Sequence, residues 1–341
     1  MKMQKTIIFG APDKGFISEK IIKNLQFLGF NVVNICFDQN YTYKSKTDQI
    51  KNFLSKTFLN DKSVKKKLRF AEEKANIEEK LSQLHHKADY AFIIRPDVYP
   101  KEFLKYLKGK CNEMIGYQWD GMKRFPDVQK YVQYFDRFFV FDEADVRQNQ
   151  LPLTNFYFDY ETPSTKNFNP KSVYFVGNYF KNRVNYLDQI ADRIKKNHLE
   201  SNIMILSNKK QVIEKYKNTA INIIQEPITF ERNLELVNES GILIDVSSGV
   251  HNGLSFRTFE ALGSDKKLIT SNKSIRNYDF YDPNNIFIVE NEDMAGFEDF
   301  LAAEYRINQQ LKEKYSFTNW IKYVLNIHPH QSISLPSIGL N

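Results

Sequence analysis

The chain has 341 residues, of which 42% are hydrophobic and 26% are charged. This composition is typical of a globular protein, and the length exceeds one hydrophobic core, so we expect two domains of roughly 150 residues each. The sequence lacks an apolar run of the roughly 20 residues that a membrane-spanning helix needs. Its first residues also turn polar too soon for a secretory signal. These features argue against an integral membrane protein and predict a cytoplasmic location.

The net charge is +7, from 48 basic and 41 acidic residues. A basic surface can meet nucleic acid, an anionic lipid or a phosphorylated substrate. The excess is mostly lysine spread over predicted helices, without an arginine-rich tract or an RNA-binding aromatic motif. We therefore expect no nucleic-acid partner. Peripheral contact with the inner face of an anionic membrane that carries a polysaccharide acceptor is retained as an alternative.

The first half alternates predicted strands and helices. The strand at residues 6–10 ends in Gly10, and a loop with Lys14, a helix and the strand NVVNICF follow. Further strands are ADYAFII, EMIGYQ and DRFFVF, followed by a last short strand, TNFYF; the segment DVQKYVQYF reads as a helix. This alternation predicts a parallel sheet with helices on both faces. The first loop lacks the G-x-G-x-x-G pattern, which disfavours a dinucleotide site there.

An aromatic residue and an acid stand together where one of these strands ends. Trp119 and Asp120 directly follow EMIGYQ, at the sheet edge where α/β proteins keep their chemistry. An aromatic ring covers the C–H face of a sugar, and a carboxylate accepts a hydroxyl proton. Asp120 is therefore the candidate general base and Trp119 a candidate acceptor contact. The alternative is a turn aspartate that caps the following segment, with Trp119 in the core.

The stretch from Gly241 to Asn272 predicts a buried strand, a polar loop, a helix from about Ser255 to Leu262 and a second apolar strand. Such units bind ligands at the carboxyl ends of the strands, where backbone amides at a helix start attract phosphate. The helix carries Arg257 and, three residues later, Glu260. We interpret this stretch as a binding site for a nucleotide-sugar.

The loop of this stretch contains further candidate groups. Asp245 ends the strand; it either positions a donor, acts as a nucleophile in a retaining reaction, or bonds loop amides as strand-end aspartates do. Ser247 and Ser248 follow it, and their hydroxyls can line an anion pocket. His251 either donates to a phosphate or a developing charge, or is an ordinary loop histidine.

The run from Arg257 to Gly263, RTFEALG, together with the apolar strand and Asn272 after it, resembles the donor-site helix of GT-B glycosyltransferases. The nearest pattern is the R-T-F-E helix of the bacterial cell-surface polysaccharide and spore-coat-like branch. The resemblance implies that Glu260 binds the ribose hydroxyls of the donor nucleotide; the alternative is a surface ion pair with Arg257. Retaining branches often carry another glutamate eight residues earlier, where this chain has Asn252. The stereochemistry and the sugar contact therefore stay open.

The resemblance also implies the roles of other residues. It places Gly177, Asn178 and Arg183 near the donor phosphate, since glycine lets the backbone approach an anion and arginine neutralises it. Arg183 is alternatively a solvated helix charge. The loop with Gly10 and Lys14 would face the acceptor. The expected donor-binding residues are Gly177, Asn178, Arg183, Ser247, Ser248, Asn252, Ser255, Arg257, Glu260 and Asn272.

The implied architecture is α/β, with two Rossmann-like domains that face each other across a cleft. Prolines among polar residues in DYETPSTKNFNPK predict a linker. A C-terminal helix would cross back to the N-terminal domain. The expected segments are an acceptor domain at 1–158, a linker at 159–171, a donor domain at 172–304, the crossover helix at 305–327 and a tail at 328–341.

The predicted function is transfer of a sugar from a nucleotide-activated donor to a hydroxyl of a bacterial surface glycan, such as lipopolysaccharide or capsule, or of a lipid-linked oligosaccharide. A D-x-D motif is missing where a donor phosphate would sit, so we expect no metal and no other cofactor. The alternatives are a sugar-nucleotide epimerase of the same fold and a non-catalytic polysaccharide-assembly module. The base, sugar, acceptor, anomeric outcome and oligomeric state stay open.

Overall fold

The computed structural model describes residues 4–13, 17–38, 63–160, 167–247, 253–290 and 294–336. Residue contacts divide the chain into two compact units. The first unit comprises residues 1–140 and 145–151, and the second comprises 141–144 and 152–341. Each unit contains a six-stranded sheet with helices, which confirms the predicted α/β class. The domain bounds expected from the sequence stay a prediction.

The first sheet has the strand order β3-β1-β5-β6-β7-β8, and its pairings from β3 to β7 are parallel. Its central strands are apolar on both faces, as buried parallel strands are, and residues 91–94 of β5 are fully buried. Strands β2 and β4 pair separately. The strands are β1 (Thr6–Gly10), β2 (Pro12–Asp13), β3 (Asn31–Asn34), β4 (Phe37–Asp38), β5 (Ala88–Ile94), β6 (Cys111–Gln118), β7 (Arg137–Val140) and β8 (Leu151–Pro152), and the helices are α1 (Ile17–Phe27), α2 (Ser63–Ser82) and α3 (Lys101–Lys108).

The second sheet is parallel throughout and has the order β11-β10-β9-β12-β13-β14. Alternate residues of its strands face two apolar layers, one against α4 and α8 and the other against α6 and α7. The strands are β9 (Asn169–Asn178), β10 (Glu200–Leu206), β11 (Ile221–Ile224), β12 (Ser240–Asp245), β13 (Lys267–Thr270) and β14 (Ile286–Ile288). The helices are α4 (Lys181–Lys196), α5 (Lys210–Tyr216), α6 (Phe230–Glu239), α7 (Phe256–Gly263), α8 (Phe297–Ala302), α9 (Gln309–Lys314) and α10 (Phe317–Val324).

Helix α10 packs against residues 154–158 within the second unit. Trp320 is fully buried, and its indole Nε1 donates to the Thr154 carbonyl at 2.8 Å. The ring also meets Phe156, with ring centroids 4.5 Å apart. The docking of this helix onto an N-terminal domain, expected from the sequence, stays a prediction. Within the described ranges, none of the helices is long and apolar enough to cross a bilayer.

Gly10, at the end of β1, is buried beneath Tyr99. A Cβ at this position would lie 2.7 Å from Tyr99 Oη and 2.9 Å from Ile93 Cδ1. Tyr99 is fully buried, and its hydroxyl donates to the Ile35 carbonyl at 2.9 Å, so the ring cannot move without breaking this bond. We expect Gly10→Ala to lower the free energy of unfolding by about 1–3 kcal/mol, as measured by urea denaturation.

The matched control for this substitution is Gly109→Ala at the end of α3. Gly109 has a helical backbone with φ −72° and ψ −14°. An alanine there should change the free energy of unfolding by less than about 1 kcal/mol. Equal urea midpoints for both variants would contradict the close packing around Gly10.

Candidate active site

The order in which the chain adds strands to the second sheet reverses between β9 and β12. From β9 the chain first adds β10 and β11 on one side and then β12, β13 and β14 on the other side. In open parallel sheets, such a switch point leaves a crevice at the carboxyl ends of the two central strands, and ligands bind there. The candidate donor site is therefore the edge where β9 ends at Asn178 and β12 ends at Asp245.

Asp245 fixes the start of α7 against β12. Its Oδ2 accepts hydrogen bonds from Ser255 Oγ at 2.8 Å and from Thr258 Oγ1 at 3.0 Å. Ser255 is also the N-cap of α7, because its Oγ accepts from the Arg257 backbone N–H at 3.1 Å. Asp245 thus has structural contacts, although they are to two hydroxyls and not to loop amides. Its roles in positioning a donor and as a nucleophile stay predictions.

Glu260 and Arg257 form a buried ion pair on α7. Arg257 Nε lies 3.1 Å from Glu260 Oε2, and the two side chains are only 15% and 8% exposed. Burial raises the pKa of Glu260, and Arg257 and a hydrogen bond from Asn233 oppose this shift only in part. The pair is therefore not the surface pair that the sequence left as the alternative. It is a buried polar centre at the switch point.

The sequence analysis missed two residues of this centre, Asn233 on α6 and Tyr174 on β9. Asn233 Oδ1 accepts from Arg257 Nη2 and from the Tyr174 hydroxyl, each at 3.0 Å. Asn233 Nδ2 donates to Glu260 Oε1 at 3.4 Å. Nothing in the local pattern of α6 marks Asn233, because its partners lie on other elements.

Arg183, near the start of α4, joins the ends of β9 and β12. Its Nε donates to the Val246 carbonyl at 3.0 Å, and its Nη1 donates to the Asn178 carbonyl at 3.2 Å. Burial lowers the pKa of Arg183, and the nearby Asp245 carboxylate opposes this shift. Arg183 is therefore not the solvated helix charge of the alternative reading, and it brings a positive charge to the candidate phosphate position.

Gly177 provides the space that Arg183 needs. A Cβ at Gly177 would lie 2.8 Å from Arg183 Nη1 and 2.9 Å from the Phe175 ring. The guanidinium also lies over the Phe175 ring, 5.6 Å from its centroid. The lack of a side chain at Gly177 therefore allows Arg183 to occupy this position.

Residues after β12 and β13 complete this edge. The Ser247 backbone N–H donates to Ser271 Oγ at 3.0 Å. Asn272 caps the short helical segment Lys273–Asn277, with its Oδ1 accepting from Ser274 N at 3.0 Å. Four predicted site residues, Lys14, Ser248, His251 and Asn252, lie outside the described residues.

The structure brings most of the predicted donor-site residues together at one sheet edge. One chain of contacts runs from Asp245 through Ser255 to the α7 ion pair, and another joins Arg183 to both central strands. Their role in binding a donor stays a prediction. The residues placed at this edge are Gly177, Asn178, Arg183, Asp245, Ser247, Ser255, Arg257, Glu260 and Asn272.

In the first unit, Asp120 takes part in a cluster of ion pairs. Its Oδ2 lies 3.1 Å from Arg95 Nη1 and its Oδ1 lies 3.4 Å from Arg124 Nη1. Arg95 also pairs with Asp97, through Nε at 2.7 Å. Each oxygen of Asp120 thus faces a guanidinium, and its role as general base stays a prediction. Trp119 beside it is partly exposed.

Across the described residues, no group of three or more His, Cys, Asp or Glu side chains is placed to hold a metal ion. The expectation of a metal-free reaction continues to rest on the missing D-x-D motif and stays a prediction.

No protein-family model matches the chain, and no curated protein matches it. Several solved structures are similar to the chain. An alpha-glucosyltransferase in complex with UDP and a 13-mer DNA containing a central A:G mismatch has a TM-score of 0.60 at 11% identity, covering 95% of this chain and 99% of that one. An alpha-glucosyltransferase in complex with UDP-glucose and DNA containing an abasic site has a TM-score of 0.58 at 11% identity, with coverages of 94% and 93%. The UDP-GlcNAc 2-epimerase of Methanocaldococcus jannaschii has a TM-score of 0.50 at 12% identity, with coverages of 90% and 95%.

These structures correct one expectation. The exclusion of nucleic acid as a partner is wrong, because two of the similar structures are glucosyltransferases bound to DNA. The exclusion rested on the absence of an arginine-rich tract and an RNA-binding motif. Neither is required, since scattered lysines on a chain of net charge +7 also attract phosphates.

At 11–12% identity the likeness defines the fold. It agrees with the two parallel six-stranded sheets. The chain has the GT-B fold of α/β type, as its sequence resemblance implied.

Proposed function

We propose that the chain is a glycosyltransferase whose nucleotide-sugar donor binds the second unit. The observation that carries this proposal is the buried pair of Glu260 and Arg257 at the switch point. A buried ion pair contributes little to folding by itself, because desolvation offsets the attraction. Charged side chains with perturbed pKa values at such a sheet edge are candidates for a ligand site. The Glu260 carboxylate would accept the two ribose hydroxyls, and Arg183 would neutralise the phosphates.

A UDP-sugar is the first donor candidate, because the similar glucosyltransferases hold UDP or UDP-glucose. The acceptor would present a hydroxyl. The R-T-F-E resemblance supports a bacterial surface glycan such as lipopolysaccharide or capsule. A similar glucosyltransferase in complex with UDP and DNA containing an HMU base supports DNA as the other acceptor to test.

Donor binding is tested by thermal shift with UDP, GDP, ADP, dTDP and CMP and with their sugars. A ligand at 100 times its dissociation constant adds about 2.7 kcal/mol of apparent stability. We expect one nucleotide to raise the Tm of the wild type, also in excess EDTA, and Glu260→Gln to lose this shift. Glu304→Gln, which changes a 76% exposed carboxylate, should keep it. A well-folded wild type that no nucleotide stabilises would contradict the proposal.

Transfer is tested with the donor that binds. Release of the nucleotide is measured with surface glycan fractions and with duplex DNA that contains an HMU base, and the product is identified by mass spectrometry. A sugar on either acceptor supports a transferase. Donor binding without turnover on either acceptor favours the non-catalytic assembly module.

A second candidate is a sugar-nucleotide epimerase, which the similarity to the UDP-GlcNAc 2-epimerase supports. An epimerase converts UDP-GlcNAc with no acceptor present. Following the anomeric and ring protons of UDP-GlcNAc by NMR separates the two functions. Formation of a new sugar nucleotide in this reaction would replace the transferase proposal.

A further inference from the structure

Residues 141–144 follow β7 in sequence but belong to the second unit. Phe141 is buried and lies against Gly253, where a Cβ would meet the Phe141 carbonyl oxygen at 2.6 Å and its ring at 2.7 Å. Gly253 is two residues before Ser255, the cap of α7. The segment is therefore fixed next to the chain that enters the candidate donor site.

Glu143 in this segment has a carboxylate oxygen that finds no partner in the described part of the chain. Its Oε1 is buried and makes no hydrogen bond. Burial raises the pKa of Glu143, and the neighbouring Asp142 raises it further; among the described residues, no cation opposes these shifts. The other titratable group that faces it is Tyr278, whose pKa is raised by burial and by the charges of Glu143 and Asp142.

Asp120, near the end of β6, and Glu143, near the end of β7, therefore differ in their hydrogen-bond and ion-pair partners. Asp120 is held by two arginines through its two oxygens. Glu143 has an oxygen that no donor satisfies, which costs about 1–3 kcal/mol in a folded protein. A structural role explains Asp120 but leaves the unsatisfied oxygen of Glu143 unexplained. Buried polar atoms without a hydrogen-bond partner are rare in folded proteins, and a catalytic role is one explanation for them.

We propose that Glu143 accepts the proton of the acceptor hydroxyl during sugar transfer; this assignment rests on the proposed function. As the hydroxyl oxygen forms its bond to the anomeric carbon, its proton passes to the Glu143 carboxylate. The bond between the anomeric carbon and the donor phosphate breaks, and its electron pair leaves with the nucleoside diphosphate. A carboxylate in this environment is a stronger base at neutral pH than an ordinary one.

The test is Glu143→Gln, which preserves the size of the side chain and removes its basicity. The reaction is release of UDP from UDP-glucose, with water as the acceptor, and with any acceptor that the transfer assay identifies. We expect kcat to fall by about 10²–10⁴-fold, while KM for UDP-glucose and the thermal shift with UDP stay as in the wild type. The acidic limb of the pH profile of kcat should disappear. Glu298→Gln, a 51% exposed position in the same unit, is the matched control and should change neither.

Asp142→Asn provides a second readout. Removing this neighbouring charge should move the acidic limb of the kcat profile to lower pH and retain turnover, because Asp142 raises the pKa of Glu143. If Glu143→Gln keeps kcat within about threefold and retains the limb, the assignment is overturned while the transferase proposal stands. If Asp120→Asn removes the limb instead, the base is Asp120. The same assays use another sugar nucleotide if the thermal shift identifies one. If the well-folded wild type binds none of the nucleotides and turns over none of their sugars, the proposed function and this assignment fall together.

Discussion

Replacing Arg257 with methionine is expected to lower the free energy of unfolding by about 3–5 kcal/mol, the usual effect of removing one partner of a buried ion pair. Glu260 is 8% exposed, and Arg257 is its only ion-pair partner among the described residues. The hydrogen bond from Asn233 is long, at 3.4 Å, and replaces little of the lost attraction. Methionine fills a similar volume, so the loss reports the charge and the hydrogen bond from Arg257 Nη2 to Asn233 Oδ1, and not a cavity.

Two controls separate the buried charge from other effects. Arg306→Met breaks a pair with Glu304 whose side chains are 73% and 76% exposed, and such a pair contributes less than about 1 kcal/mol. The double variant Arg257→Met with Glu260→Leu removes both charges and should be more stable than Arg257→Met alone. Equal urea midpoints for Arg257→Met and Arg306→Met would contradict the buried pair.

The same variant should show a steeper dependence on pH. Burial raises the pKa of Glu260 above its ordinary value of 4.5, so the folded state binds a proton more tightly than the unfolded state. The stability that Glu260 contributes is therefore fully present below pH 4.5 and is lost as the pH rises through the folded pKa. Arg257 opposes this shift, so Arg257→Met raises the pKa further. Its deficit relative to the wild type should be smaller at low pH than at neutral pH.

The regular parts of the fold were predictable because their signals are local. Apolar runs form the centres of β1, β9 and β12. A glycine is the last residue of β1, the penultimate residue of β9 and the second residue of β12. Helix α7 was expected at about Ser255 to Leu262 and lies at Phe256–Gly263, with Ser255 as its cap. A serine before an apolar helical period is a start signal that needs no tertiary information.

The local signal failed where distant residues decide the conformation. The segment DVQKYVQYF has a helical pattern, yet it forms two short 3₁₀ segments, Pro126–Lys130 and Val132–Tyr134. Val128 and Val132 anchor these segments in a small apolar cluster with Phe138 of β7. TNFYF reads as a strand, but Tyr157 makes only a single bridge, to Ser316 in the C-terminal part of the chain. Tertiary packing overrode propensity in both places.

In the candidate site, too, local sequence was informative about location and uninformative about side-chain partners. Glycines, serines and the helix after Ser255 were enough to predict a candidate site at the end of β12, because loops at strand ends have recognisable compositions. The partners of each side chain were not predictable: Asn233 bonds Glu260 across 27 residues, and Arg183 bonds Val246 across 63. The sequence of α4 alone therefore does not distinguish a phosphate ligand from a solvated charge at Arg183.

Gly241→Ala is the other substitution with a large expected effect. A Cβ at Gly241 would lie 2.2 Å from the Pro170 carbonyl oxygen and 2.6 Å from Pro170 Cα. These are backbone atoms of β9, so no side-chain rotation relieves the clash. The register between β9 and β12 already shifts between Ser240 and Ile242, and the added methyl would force the strands apart there.

We expect Gly241→Ala to lower the free energy of unfolding by about 3 kcal/mol or more, beyond the usual range for overpacking, since the obstacle is backbone. The donor-dependent thermal shift should also weaken, because Arg183 binds the Asn178 carbonyl at the end of β9 and the Val246 carbonyl after β12. Urea denaturation and the nucleotide titration measure the two effects in one preparation, with Gly109→Ala as the control. A variant that loses stability but keeps the full shift would show that the carboxyl ends of the strands hold their spacing independently of Gly241. A variant as stable as the control would mean that β9 and β12 do not pair in this register.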